Sequence, residues 1–235
     1  MNEWRAHSPY CDWNDPAIQG VVAHTVNGAG SERATAIRLF RFVRDHVLYT
    51  FGAWAVPASR TLVLRQGTCT NKNNLLVALL RAAGIHAGYG VLRVNGREYF
   101  GNITPSSFKE LASRDSTHIY AAVLLEGRWV KCDASTDREI AEKTAHFCPQ
   151  THLVEWDGVH DALDFLDPAH IHADLGIRST IDDLLEKPPR NADATTVAIL
   201  NHYVRFIRGN PPFGSAEELI ASYVSRTMNA GTSER

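Results

Sequence analysis

Apolar positions along this chain change their period several times, and each change marks an element. Ser31 stands before Ala36, Leu39, Phe40 and Val43, which recur at helical spacing, so a helix capped by Ser31 is predicted. A strand-like Val-Leu-Tyr-Thr-Phe run over 47–51 follows, and then a loop. The unbroken apolar run Leu75–Leu80 predicts a buried helix that stops at Gly84, a natural C-cap. Residues 85–94 read as a strand ending at Asn95-Gly96, and 96–116, with Thr104-Pro105-Ser106, as a connection long enough to contribute to substrate access. Residues 117–133, THIYAAVLLEGRWVKCD, form two β-rich runs around Glu126-Gly127, a two-residue hairpin loop of the type that needs positive φ.

The ends of the chain carry weaker signals. Residues 1–30 look irregular at first, with a short helix after Asp15-Pro16. Pro188-Pro189 marks a break, and helices are predicted at about 192–208 and 216–228. The second of these opens with a capping box of Ser215 and Glu218 and carries an apolar stripe of Leu219, Ile220 and Tyr223. Such stripes are expected to pack on the core in preference to forming a lid.

Composition narrows the class. A chain of 235 residues and 26.1 kDa with 44% hydrophobic residues suits one globular domain with a substantial core. No apolar segment approaches the length of a membrane span, and MNEWRAHSPYCDW lacks the basic start and apolar centre of a signal peptide. A cytoplasmic protein without a membrane partner is expected. Cysteines at 11, 69, 132 and 148 show no paired spacing, which suits a reducing compartment. The net charge of −2, with Lys and Arg scattered, gives no reason to expect nucleic acid as a partner. No repeat or low-complexity segment is visible.

The candidate chemistry centres on Cys69. It follows the turn-like Arg65-Gln66-Gly67-Thr68 and precedes the buried helix, so its thiol sits at the first helical turn. The positive end of the helix dipole favours thiolate there, and the unpaired N–H groups can hold an oxyanion. If Leu125 and Arg128 flank the hairpin turn, Leu124 opposes Trp129, Tyr120 opposes Asp133 and His118 opposes Ser135. Alternation then puts His118, Tyr120 and Asp133 on one face, with His118 and Asp133 diagonal neighbours roughly 7–8 Å apart at the backbone. An imidazole held by a carboxylate has a fixed tautomer and a stabilised imidazolium, which suits the base of a cysteine nucleophile. Contact between Cys69 and His118 is itself an expectation.

Supporting residues are candidates of lower rank. Gln66 or the Trp54 indole N–H would give a second oxyanion donor, and Tyr120 would line the pocket. Cys132, turned to the other face, reads as a core thiol. His160, His170, His172 and Asp174 match no established metal spacing, and Asp167-Pro168 with Gly176 suggests an irregular loop, so no metal site is expected.

Three pieces together resemble the transglutaminase-like superfamily of cysteine enzymes, within the papain-like group. They are Gly67-Thr68-Cys69 through LLVALLRAAGI, the strand opening Thr117-His118-Ile119-Tyr120, and Gly127-Arg128-Trp129-Val130-Lys131-Cys132-Asp133. FRFVRDHVLYT at 40–50 is similar to the helix and strand that precede the family's cysteine. The resemblance spans roughly 30–140 and implies an α+β, papain-like core in which an antiparallel sheet packs on the cysteine-bearing helix. A C-terminal helical extension over about 178–230 would complete it. Carried over, Cys69 is nucleophile, His118 base and acid, and Asp133 orienter. Thr70 stands where protein-crosslinking members have tryptophan, and their calcium sites and extra β domains have no counterpart. The implied activity is acyl transfer or amide hydrolysis through an acyl-thioenzyme without a cofactor, on a peptide, amide or acyl-thioester substrate. One alternative is a Dieckmann-type cyclase or acyltransferase acting on a carrier-protein thioester in secondary metabolism. The other is a catalytically idle binding module.

Overall fold

Helix start and stop signals around the apolar run at 75–80 account for the centre of the molecule. The computed structural model of the protein describes residues 3–98, 103–163, 167–187 and 193–232. Helices are α1 (Pro16–Thr25), α2 (Glu32–His46), α3 (Ala58–Leu64), α4 (Cys69–Ala82), α5 (Ser106–Lys109), α6 (Arg138–Thr144), α7 (Asp182–Leu185), α8 (Ala194–Gly209) and α9 (Ala216–Thr232). Strands are β1 (Leu48–Tyr49), β2 (Gln66–Gly67), β3 (Ala87–Val94), β4 (Ser116–Leu125), β5 (Arg128–Cys132) and β6 (Ile171–Arg178).

At the head of α4, Thr68 Oγ1 accepts from Asn71 N at 3.3 Å while Asn71 Oδ1 accepts from Thr68 N at 3.0 Å. This reciprocal capping box satisfies two amides that the helix cannot. At its foot Gly84 takes φ +85°, and the amides of Gly84 and Ile85 donate to Arg81 O and Leu80 O, which closes a Schellman motif. Thr70 through Arg81 are all buried, because α1, α2 and α3 cover one side of α4 and the sheet covers the other.

The main sheet is antiparallel, in the order β5-β4-β3-β6. Its hairpin turns at Glu126 and Gly127, both at positive φ, and pairs Leu125 with Arg128 and Leu124 with Trp129, as the turn chemistry predicts. Ile119, Ala121 and Val123 project with Tyr89, Val91 and Val130 into the core shared with α4. Cys132 belongs to this core, fully buried, and burial pushes its thiol well up from the ordinary value. The fold is thus α+β, with an antiparallel sheet on the cysteine-bearing helix.

Two expectations need correction. The stretch around His170, His172 and Asp174 is not an irregular loop but the edge strand β6. Two register shifts against β3 and a left-handed Gly176 break its two-residue alternation, which hides a strand from pattern reading. The strand expected over 47–51 is only two residues long, pairing in parallel with β2 through Leu48–Gln66 and Tyr49–Gly67.

The C-terminal helices form a second apolar cluster. Tyr203 and Ile207 of α8 pack with Leu219 and Tyr223 of α9, and with Ile103 and Cys148. Pro188-Pro189 lies outside the described residues. Among the described residues no helix is long and apolar enough to cross a membrane.

Candidate active site

Cys69 is the first residue of α4, so its thiol stands over amide groups that the helix leaves without carbonyl partners. Tyr49 of β1 and Phe51 just beyond it pack with Cys69, Ile140 and Val204 in one apolar cluster. The thiol is half-buried and lies 3.9 Å from Thr70 Oγ1.

His118, near the start of β4, is 2% exposed and meets the Asp133 carboxylate through Nε2 and Oδ2 at 2.6 Å. The hairpin ladder ends at Ala121–Cys132. Asp133 leaves the ladder with its amide donating to Ala162 O at 2.9 Å, and from there its carboxylate reaches back to the imidazole. The predicted diagonal pair therefore forms through side chains. Cys69 lines the same cavity as His118 and acts on its imidazole electrostatically, so the three residues expected to act together are gathered at one site.

The electrostatics follow from burial. Desolvation alone would lower the proton affinity of His118, but the Asp133 carboxylate and then Cys69, each by charge and hydrogen bond, hold it well above the ordinary 6.5. Burial alone would raise Asp133, and the imidazolium, Ser135 and Asn73 outweigh it and keep the carboxyl below its usual range. Ser135 supplies both its hydroxyl, at 2.5 Å, and its amide, at 3.0 Å, to Asp133 Oδ1.

Asn73 is the residue that pattern reading passed over. It lies one turn below Cys69, fully buried, and its Nδ2 is 2.9 Å from Asp133 Oδ1, 2.9 Å from Ile119 O and 3.1 Å from Cys69 O. Its Oδ1 accepts from Ala134 N at 3.2 Å, which fixes the amide orientation. A signal existed: Asn71, Asn73 and Asn74 crowd two turns of one helix, and asparagine is a poor helix former.

The lower-ranked candidates separate. Trp54 lines the cavity beside Cys69, and its buried Nε1 has no hydrogen-bond partner. Its carbonyl accepts from Asn71 Nδ2 at 2.8 Å, which ties the 52–56 loop to the head of α4. Gln66 is exposed on β2 and does not line the cavity, because alternation in that strand buries Gly67 instead. Tyr120 does not line it either. Opposite it stands Gly90, where an added Cβ would lie 1.9 Å from Tyr120 Cζ. The ring therefore lies down across Gly90 and packs with Leu92 and Val94 rather than projecting toward Cys69. His160 bonds to Asp157 at 2.7 Å and His172 to Arg114 O at 3.0 Å, and no group of potential metal ligands is gathered among the described residues.

Cys69 and His118 open into a cavity of about 620 Å³. Tyr49, Phe51 and Trp54 line it, as do Leu111, Ala112 and Ser113 of the 96–116 connection. Val197 and Leu200 of α8 line it too, so α8 does more than pack on the core. Chemically, the site offers a thiol, a buried imidazole held by a carboxylate, helix N-terminal amides and one unused indole donor.

The model of the transglutaminase-like superfamily matches residues 19–134, which contain Cys69, His118 and Asp133 but none of α7, α8 or α9. A Cytophaga hutchinsonii protein, provisionally named a cysteine protease, superposes with a TM-score of 0.43 and 19% identity. The match covers 56% of this chain and 40% of that one. No curated protein matches the chain. Residues 19–134, just under half of the chain, thus match the transglutaminase-like superfamily, which supports a cysteine-dependent enzyme.

Proposed function

We propose that the protein catalyses acyl transfer or amide hydrolysis through an acyl-thioenzyme on Cys69. The observation that supports this is His118, buried against the Asp133 carboxylate and lining one cavity with the Cys69 thiol. His118 takes the thiol proton, and the thiolate forms a bond to the carbonyl carbon of an amide or thioester. The oxyanion is received by the first-turn amides of α4 and the Trp54 indole. On collapse the C–N or C–S bond breaks, and the imidazolium returns the proton to the leaving amine or thiol. Water, an amine or a carbon nucleophile of the same substrate then attacks the acyl-enzyme and loses its proton to His118; the C–S bond to Cys69 breaks, and the imidazolium returns that proton to the thiolate. Asp133 holds the imidazole throughout, and the substrate is a peptide, amide or acyl thioester, free or on a carrier protein.

Two variants test this. Cys69→Ala should abolish turnover and leave the fold intact, and retained turnover overturns the proposal. Alkylation of Cys69 by iodoacetamide at pH 6 should slow by at least tenfold in His118→Ala. Equal rates in both proteins would favour an idle binding module.

A further inference from the structure

One part of the cavity wall lies outside residues 19–134, the part of the chain that matches the superfamily. It is built by Leu184 of α7 and by Thr196, Val197 and Leu200 of α8. These positions on α8 are half-buried, and their spacing continues into residues that anchor the helix. Asn201 accepts from Phe51 N at 2.9 Å and donates to Phe51 O at 2.8 Å. Val204 packs on Tyr49 and Ile140. Arg208 bonds to Asp137 at 2.5 Å and to Tyr49 O at 2.7 Å, and Asp137 in turn accepts from Tyr49 N at 2.6 Å. One stripe of α8 therefore grips the strand beside Cys69 with its C-terminal half and presents Val197 and Leu200 to the cavity with its N-terminal half. Asn201 and Val204 follow Leu200 within about one turn and Arg208 lies about a turn beyond them, so the wall is fixed rather than hinged.

The lining decides what fits. Tyr49, Phe51 and Trp54 line the cavity together with Leu184, Val197 and Leu200. Of the charged lining residues, Arg93 and Asp115 pair with each other, and Lys187 is exposed. A short polar acyl group would leave this apolar surface wet, whereas an extended apolar one would cover it. We infer that α8 is the specificity element of this site, and that the preferred acyl donor carries an extended apolar group lying along residues 49–54 and α8. The inference rests on the acyl chemistry proposed for Cys69.

The test uses N-alkyl iodoacetamides of increasing chain length, below their micelle concentrations, on the full chain. Reaction at Cys69 is followed by intact mass and peptide mapping and compared with N-acetylcysteine. Only the tail differs along the series; in every case the thiolate forms the C–S bond and iodide leaves. Each methylene taken from water contributes up to about fourfold, so the decyl reagent should outrun the ethyl reagent by at least tenfold after correction for the free thiol. Val197→Glu and Leu200→Glu should bring that ratio toward the free-thiol value. Leu200→Trp, which narrows the cavity without placing a charge there, should move the optimum to shorter chains. A flat series in a protein whose iodoacetamide reaction still depends on His118 overturns the specificity inference alone. A length preference indifferent to all three α8 variants also overturns it. Slow alkylation indifferent to His118 overturns the acyl chemistry and this inference with it.

Discussion

Removing the Asn73 amide tests whether the imidazole is held by a built network. In Asn73→Ala, Asp133 Oδ1 keeps Ser135 but loses the amide at 2.9 Å, and the buried amide of Ala134 loses its acceptor at 3.2 Å. A hydrogen bond to a charged group contributes about 1.5–3 kcal/mol, and stranding a buried donor costs about 1–3 kcal/mol more. The expected loss is therefore about 3–5 kcal/mol, or roughly 10 °C in melting temperature for a chain of this size. With Asp133 less firmly placed, His118 wanders, and Cys69 alkylation at pH 6 should slow by on the order of tenfold to a hundredfold. Asn73→Asp separates shape from charge. It keeps an acceptor for Ala134 but sets a second buried carboxyl against Asp133, which must stay protonated. A carboxyl whose folded pKa is raised loses stability for the protein as pH climbs above about 4, so this variant should lie closer to wild type at pH 5 than at pH 8. Thermal melting at both pH values and alkylation rates supply the readouts. Wild-type melting and wild-type alkylation in Asn73→Ala would refute the network.

Two further outcomes follow from the same geometry. His118 is raised in the folded state, so its contribution to stability is complete below the unfolded value of about 6.5 and is lost as pH rises through the folded value. Asp133 is lowered, so its contribution is present above the ordinary carboxyl range and is lost as pH falls through the folded value. Denaturant titrations should then show the stability advantage of wild type over His118→Gln greatest near pH 5–6 and shrinking toward pH 9; an advantage that grows toward pH 9 would contradict the imidazolium–carboxylate pair. Gly90→Ala should cost about 1–3 kcal/mol, because its Cβ meets the buried Tyr120 ring, and Gly90→Ala/Tyr120→Leu should recover part of that loss. A double variant less stable than either single one would show that the ring does not lie over Gly90.

What was legible in the sequence was what is decided locally. Thr68 with Asn71, Gly84, and Glu126-Gly127 are signals complete within a few residues, and they fixed the ends of α4 and the register of the β4–β5 hairpin. That register was enough to bring His118 to Asp133. Alternation assigns a face but not a direction along it, so Tyr120 shares a face with His118 and still turns away, over a glycine on the neighbouring strand. Strand β6 escaped because its irregular pairing breaks the period that reveals strands. Asn73, Ser135 and the wall residues of α8 escaped for a different reason: their partners are 60, 62 and about 150 positions away, or nearby only because the chain has already turned. No local pattern encodes such contacts.

The buried polar residues of α4 explain how so short a stretch can place a nucleophile. A helix covered on all sides ordinarily presents only apolar side chains, yet α4 buries Asn71, Lys72, Asn73, Asn74 and Arg81. Each one captures a carbonyl from a distant segment. Asn71 takes Trp54 O, Lys72 takes Val47 O at 2.6 Å, Asn74 takes Tyr10 O at 2.8 Å, and Arg81 takes Ala6, Ala87 and Ser179. Apolar packing tolerates a sliding contact, but a buried ammonium or amide that misses its acceptor costs more than the contact is worth. The loops carrying Tyr10, Val47 and Trp54 are thereby held to one position relative to the helix, and the same accounting holds Asp133 through Asn73. Cys69 is the first residue of that helix, so every one of these bonds also fixes the thiol relative to His118 and to the floor of the cavity. The asparagines that weaken α4 as an isolated helix are among the residues that make its N-terminus a site.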